Sequence, residues 1–436
     1  MKTLRCDVDS EQTPAVLKKI VIASARDRSY ATASRNLEDL ADLKISAKQC
    51  QRIAIRIGTE RLDEQAERIE AYCTASIPEQ QHGQSADAPA NDWNSRIAVV
   101  QCDGGRVQVR DKFWGKEKPK GPKHRWWRET QAAVLQTYQV QVSGSDPTPE
   151  VPEALRDPLW VIPRLNEIHR QHMASRRSGE PESDPSSDPE QSPQSVAVEQ
   201  ESLAALSGPK DRQTRWSGGD PLVKTIVATR RGYDQLGLAL AGEAYHRGFN
   251  KAKLKAFMGD GLKVNWSLWA THFSHYIPIT DILHALSYVY CAAVASRDRI
   301  EDGWTLYLQW LNWVWSGRVD LVITALKHQA AGQEEVGEPV RRAITYLSNN
   351  APRMKYDQYR RAGLPITTSP VESAQKQINE RIKGTEKFWR DDSLEPLLQL
   401  KADDLSETHD RDAFWSRRGD RLDGFRPRRK TKLTES

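Results

Sequence analysis

The stretch RIAVVQCDGGRVQVR, residues 96 to 110, constrains the fold more than any other part of the chain. It is an apolar run, then a Gly-Gly pair, then strict alternation of Val107 and Val109 with Arg106, Gln108 and Arg110. The run reads as a buried strand and the alternation as a half-buried one. A two-residue Gly-Gly loop between such runs signals a hairpin. The expectation is therefore a turn at Gly104 and Gly105, with Asp103 closing a buried strand. An acid there is out of place unless it forms the turn or has a chemical role.

The neighbouring segments build the class. A further strand is expected at QAAVLQTYQVQV (131–142), a helix over 220–249, and a short strand ending at Asp260 inside MGDG. Strands, a helix and another strand in that order point to a mixed α/β domain. Asp between two glycines is ordinary turn chemistry, so Asp260 is a turn residue or part of a site. An insertion interrupts the domain: GEPESDPSSDPEQSPQS (179–195) has almost no apolar residue and cannot bury enough surface to order itself.

Residues 1 to 80 are helical in pattern. Ala33, Leu37, Leu40 and Ala41 fall at helical spacing, a break follows at Asp42 to Lys44, and Ser46 is an N-cap for a second helix with Cys50, Ile53, Ala54 and Ile57 on one stripe. Two helices and a tight turn resemble a helix-turn-helix, which would offer Lys48, Gln49, Arg52 and Arg56 to a DNA groove. An ordinary helical hairpin has the same pattern.

Residues 264 to 350 are Trp-rich and helical, with Trp304, Tyr307, Leu308, Leu311 and Trp315 on one face. That face is either core or a stacking platform for bases. Asp281 and His284 stand three apart in an apolar run, either as mutually satisfied core groups or as ligands. In SPVESAQKQINERIK, Ser369, Pro370 and Glu372 spell a capping box. Val371, Ala374, Ile378 and Ile382 make the buried stripe, and Glu372, Lys376, Asn379 and Lys383 a polar one roughly 100° away.

Composition narrows the class. At 436 residues the chain is long for one core, so more than one domain is expected. With 28% charged and 38% apolar residues and no membrane-length apolar run, it reads as soluble. MKTLRCDVDS lacks an apolar segment behind its basic residues, so the chain is expected to stay inside the cell. Five scattered cysteines without a CxxC pair point to reduced thiols. The net charge of +5 understates two basic stretches. One is residues 106–128, with Phe113, Trp114, Trp126 and Trp127 interleaved, and the other is the tail from Arg417. Such stretches are the footprint of a polyanion binder or plain solvated charge.

Asp103, Asp260 and Glu372 are three acids of the kind that hold two Mg²⁺ ions for phosphoryl transfer, because hard cations take oxygen ligands. Here a resemblance enters. DGGRVQVR from Asp103, WWRET, MGDG, DILHALSYVY, YLSNNAPRMKYDQYRRAGLPI, SPVESAQKQINERIKGTEKFW and LQLKADDLS resemble the ISKra family of bacterial insertion-sequence transposases. That is a DDE group similar to Mutator-type transposases. The match spans most of residues 30 to 418 and is most specific from Asn349 to Trp389. Thr368 and Ser369 replace a usual Ser-Gly pair, and the linker at 179–215 is long.

The resemblance implies an RNase H-like α/β core with an all-α insertion, preceded by a helical DNA-binding region. The parts would be 1–80, a split core at 92–175, 216–284 and 351–418, a linker at 176–215, an insertion at 285–350 and a tail at 419–436. It implies Asp103, Asp260 and Glu372 as catalytic and metal-binding residues, with Asp281 and His284 as an accompanying pair. Lys376, Arg381 and Lys383 would meet phosphates. The cofactor would be two Mg²⁺, with Mn²⁺ substituting. The partners would be DNA, at terminal inverted repeats and target, and further copies of the chain on that DNA, in a bacterial cytoplasm. The alternatives are a nuclease or resolvase without strand transfer and a non-catalytic DNA-binding descendant.

Overall fold

The structure, a computed structural model, describes residues 12–110, 127–178, 220–331, 336–384 and 387–421. The acidic linker at 179–195, the basic segment 111–126 with Phe113, Trp114 and Trp126, and the tail beyond Arg421 lie outside them.

Helices α1 (Pro14–Arg26), α2 (Tyr30–Ala41), α3 (Ala47–Thr74) and α4 (Ile77–His82) precede strands β1 (Arg96–Arg110) and β2 (Trp127–Gln139). After α5 (Pro158–Ser178) come β3 (Pro221–Thr229), α6 (Tyr233–His246), β4 (Leu254–Gly259), α7 (Lys263–His272), β5 (Ile277–Thr280) and α8 (Ile282–Ala295). Helices α9 (Ile300–Trp315), α10 (Val319–Ala331), α11 (Glu338–Asn350), α12 (Tyr356–Arg361) and α13 (Ser369–Ile382) follow. The chain then passes through β6 (Trp389–Arg390), α14 (Asp391–Leu405) and α15 (Asp410–Arg421). The class is α/β: a mixed sheet in the order β3-β2-β1-β4-β5, with β6 beside β1. Strand β2 runs antiparallel to both its neighbours, β1 and β3, whereas β4 and β6 are parallel to β1 and β5 is parallel to β4.

Two expectations need correction. Gly104 and Gly105 do not turn a hairpin; β1 runs straight through them, facing Gln131 and Thr130 of β2. Their smallness serves packing across the strand. A Cβ on Gly105 would overlap the Gln375 side chain of α13, and one on Gly104 would lie 3.1 Å from the Tyr233 hydroxyl. The segment 220–249 is not one helix either. Its β-branched first half, Val223, Thr225, Ile226 and Val227, forms β3, and Gly232 at φ +92° breaks the chain before α6.

The alternation along β1 shows where the site must lie. Even-numbered Ala98, Val100 and Cys102 join a core with α6 and α7. On the odd-numbered face, Ile97 and Val99 enter a core with α5, α8, α9 and α11, while Val107 and Val109 enter another with α13 and α14. Between these two cores the same face carries Gln101, Asp103 and Gly105. A polar gap is thus built into the middle of a buried strand. Helix α8, apolar nearly all round, is buried accordingly, and Tyr307, Leu311 and Trp315 of the Trp-rich face are core.

At the N-terminus, Ser46 caps α3 in a capping box with Gln49, and Asp42 ends α2 in the left-handed region at φ 52°. Leu40, placed on the apolar stripe by its spacing, is 85% exposed. Helix α3 runs 28 residues and packs with α1, α2, α14 and α15 around Cys50, Ile53, Ile57, Leu400 and Trp415. The four cysteines among the described residues are unpaired. No helix among them is long and apolar enough to cross a membrane.

Candidate active site at the strand ends

Four acids meet here: Asp260 and Asp281 just beyond the C-terminal ends of β4 and β5, Asp103 in mid-β1 beside them, and Glu372 from a helix over the sheet. The β1–β4 register ends at Gln101 opposite Met258, and two further residues set Asp103 beside Asp260. The β4–β5 register ends at Gly259 opposite Thr280, so Asp281 is next to Asp260 in turn. Glu372 comes from the first turn of α13, which lies over β1 and β2. Crevices beyond the carboxyl ends of parallel strands are where open α/β sheets bind ligands.

Asp260 is 9% exposed and is a turn residue and more. Its Oδ1 accepts from the Leu262 N–H at 2.9 Å and from Asn265 Nδ2 at 2.7 Å, while Oδ2 faces His172 Nε2 at 3.6 Å. Its carbonyl accepts from the Tyr346 hydroxyl at 2.7 Å. Gly261 is required here: its φ is +96°, and a Cβ would run into the Tyr346 ring.

Asp103 accepts from the Gly104 N–H at 2.7 Å. Burial, followed by the charges of Asp260 and Glu372, pushes its carboxyl up to about 7, against the opposing pull of His284 and the Gly104 bond. Tyr233 is held well above the usual phenol range by burial and then by Asp260, with Cys102, Glu129 and Asp103 adding to it.

Glu372 does not cap its helix. The cap of α13 is Thr368, and no side chain closes it, so the capping box expected from Ser369 is absent. The reason is that Thr368 is occupied: its N–H and hydroxyl both donate to Asp281 Oδ2, the hydroxyl at 2.9 Å. Glu372 is left facing the acids. Its Oε1 is buried without a hydrogen-bond partner, and Oε2 meets Arg164 at 3.9 Å.

Asp281 is fully buried and caps α8. Its Oδ1 accepts from the His284 N–H at 2.8 Å and lies 3.1 Å from His284 Nδ1. Burial alone would lower His284, but the Asp281 bond and charge, with Asp260 and Glu372, raise it to about 9. Ligand atoms of Asp281, His284 and Glu372 lie within 4.8 Å of one another, so this group could hold a metal ion. Both Asp281 oxygens are already engaged and Nδ1 of His284 faces Asp281, which leaves Glu372, with Oε1 unpartnered, as the freest donor among the three.

The phosphate-contact residues divide. Lys376 is exposed and Lys383 half-buried. Arg381 is 2% exposed and faces inward, a correction to its expected role. Its Nε donates to the Ser24 carbonyl at 2.9 Å, and the guanidinium lies over Tyr30 and Trp389. It ties α13 to the N-terminal helices. Lys48, Gln49 and Arg52 are exposed at the start of α3, with Gln49 engaged in the capping box, and Arg56 is half-buried. Arg164, His172, Asn265, Tyr233 and Tyr346 belong to the site and went unread in the sequence. The available signal was WVIPRLNEIHRQHM, with apolar residues at helical spacing and two histidines three apart.

No protein-family model matches this chain, and no curated protein matches it.

Proposed function

We propose that the chain is a DDE-type DNA transposase on an RNase H-like core, cleaving DNA at the ends of an insertion sequence and joining strands to a target. The observation that carries this reading is the placement of Asp103, Asp260 and Glu372 from three separate elements: the β1–β4 register sets Asp103 beside Asp260, and α13, which carries Glu372, packs over β1. The mixed sheet flanked by helices fits such a core.

The residues present fit a divalent cation. Carboxylate oxygens are the donors a hard ion prefers. Glu372 Oε1 is buried and unpartnered, and burial followed by the charges of Asp260 and Glu372 raises Asp103 to about 7. Asp103, Asp260 and Glu372 would be the ligands. When bound, Mg²⁺ would polarise the scissile phosphate and lower the pKa of the attacking water or 3′-hydroxyl. The chain's own part is to fix geometry. Asn265 and the Leu262 N–H hold Asp260 by one oxygen, and Asp281 pins His284 through Nδ1. A protonated His284 offsets the acids and offers its other N–H to a phosphate oxygen. Exposed Lys376 would meet the backbone beside the site.

The test uses purified full-length chain, Mg²⁺ or Mn²⁺ and labelled element ends, scored for nicking and joining. Asp260→Asn is expected to lower cleavage by at least about 10³-fold, the scale of losing charge stabilisation at a reacting centre, while a shift assay shows DNA binding retained. Metal-dependent cleavage by that variant at the wild-type rate would overturn the reading.

A further inference from the structure

The connection between β2 and β3 runs from Gln139 to Pro221 and delivers α5 to the acid cluster. Two of its side chains face acids: Arg164 meets Glu372, and His172 meets Asp260. His172 is 3% exposed. Its Nδ1 lies 2.9 Å from the Tyr288 hydroxyl and its Nε2 3.6 Å from Asp260 Oδ2. The Tyr288 ring stacks on Tyr346 with centroids 4.0 Å apart, and Tyr346 holds the Asp260 carbonyl. The His172 ring stands edge-on to Tyr288, Tyr346 and His284 at 5.5 to 5.7 Å. Asp260 is therefore held at its carbonyl by Tyr346 and at Oδ1 by Asn265 and Leu262, with His172 against Oδ2.

We propose that His172 is a positioning residue for Asp260: it sets the direction of Oδ2, the oxygen opposite the turn bonds. This rests on reading Asp260 as a metal ligand. A phenylalanine would fill the same aromatic pocket without burying two polar nitrogens, so packing alone does not account for an imidazole. The ring nitrogen turned toward Asp260 Oδ2 is Nε2, while Nδ1 sits against the Tyr288 hydroxyl, whose own proton reaches Met173 Sδ at 3.8 Å. Partners of this kind orient ligating carboxylates, and their loss costs about 10- to 100-fold in metal affinity or activity. Helix α5 would then be part of the active centre.

Calorimetric Mn²⁺ titration of the full chain tests this, beside metal-free thermal unfolding and strand cleavage. His172→Gln is expected to bind Mn²⁺ about 10- to 100-fold more weakly. Its kcat should fall with KM for DNA unchanged, and Arg170→Ala, on the exposed side of α5, should match wild type. Wild-type Mn²⁺ affinity in a folded His172→Gln overturns the proposal. If His172→Gln does not fold, Tyr288→Phe decides, since it keeps the ring stack and removes the hydroxyl. A loss of about tenfold supports the proposal, and wild-type affinity ends it. If wild type binds Mn²⁺ and Asp260→Asn does not, an unaffected His172→Gln removes only the positioning role. A wild type without saturable Mn²⁺ binding removes the metal reading and His172 with it.

Discussion

Two regions of the molecule bury charge in opposite ways. Where α3 meets α6, α14 and α15, cations and acids are matched. Arg61 grips Asp403 through Nε at 2.8 Å and Nη2 at 3.2 Å, with Glu64 on Nη1, and Arg68 bridges Glu243 and Asp410. At the strand ends, Asp103, Asp260, Asp281 and Glu372 crowd together, and Arg164 reaches Glu372 only at 3.9 Å. Protonation records the difference. Burial would raise Asp410, yet Arg68 and then His246 and Arg61 hold it below the usual carboxylate range. Asp103, buried among acids, is pushed up to about 7. Matched buried charge is structural, whereas unmatched charge in a crevice is where a charged ligand would complete the count.

Breaking the matched region should have the largest effect on stability. Arg61→Ala takes from Asp403 its cation, leaving it the Gln399 amide, while Glu64 keeps Arg417, in a site where Arg61 is 4% exposed. Losing one member of a buried pair costs about 3–5 kcal/mol, and denaturant unfolding should show that loss with or without Mn²⁺. A loss near zero would mean that water already satisfies the pair, and the contrast between the regions would collapse.

Acidity separates the regions next. Asp103 is raised from 3.8 to about 7 in the folded chain, so its contribution to metal-free stability is full below 3.8 and lost as pH rises through 7. His284 is raised from 6.5 to about 9, so its contribution is full below 6.5 and lost as pH rises through 9. Both signs agree: from pH 6 to 9 the metal-free melting temperature should fall. Cation binding, on the proposed reading, would run the other way, because an ion held by Asp103 would have to displace its proton. Below pH 7, Mn²⁺ affinity should drop by about tenfold per unit for one proton. Asp103→Asn should abolish that proton-linked drop, while Arg61→Ala should leave it in place. A pH-independent Mn²⁺ affinity in wild type would place the cation away from Asp103.

What the sequence disclosed follows from how local each cause is. Periodicity located β2, β4, α2, α3 and the buried stripe Val371, Ala374, Ile378 and Ile382, because burial of one face repeats at a fixed interval. It misread Gly104 and Gly105, since a glycine that turns the chain and one that admits a crossing helix look alike until Gln375 is in place. Glu372 shows the same limit from the other side. The letters of a capping box were present, but Thr368 was drawn to Asp281, 87 residues away. Arg381 sits among residues that look like a phosphate-facing stripe, and its partners, Ser24 and Tyr30, belong to the far end of the chain. Helix α5 was unread because its two useful side chains acquire meaning only beside Asp260 and Glu372.

The smallest expected effect tests a third arrangement of charge, the exposed one at the start of α3. Ser46 and Gln49 close the capping box there, which commits Gln49 to the helix end and leaves Lys48 and Arg52 outward on the first turns. Beyond Ile57, Gly58 lies so close to Pro396 of α14 that a Cβ would not fit, and the exposed charged positions are the acids Asp63, Glu67 and Glu70. The start of the helix is therefore the part of α3 whose exposed charge would suit a DNA backbone. Arg52→Ala should weaken binding to element-end DNA about two- to fivefold and lower the slope of log affinity against log salt by about one, the signature of a single phosphate contact. Melting temperature should not move, because an exposed arginine adds little to stability. Unchanged affinity and slope would make α2 and α3 a helical hairpin that braces the core, and would move the DNA path toward Lys376 and the strand ends.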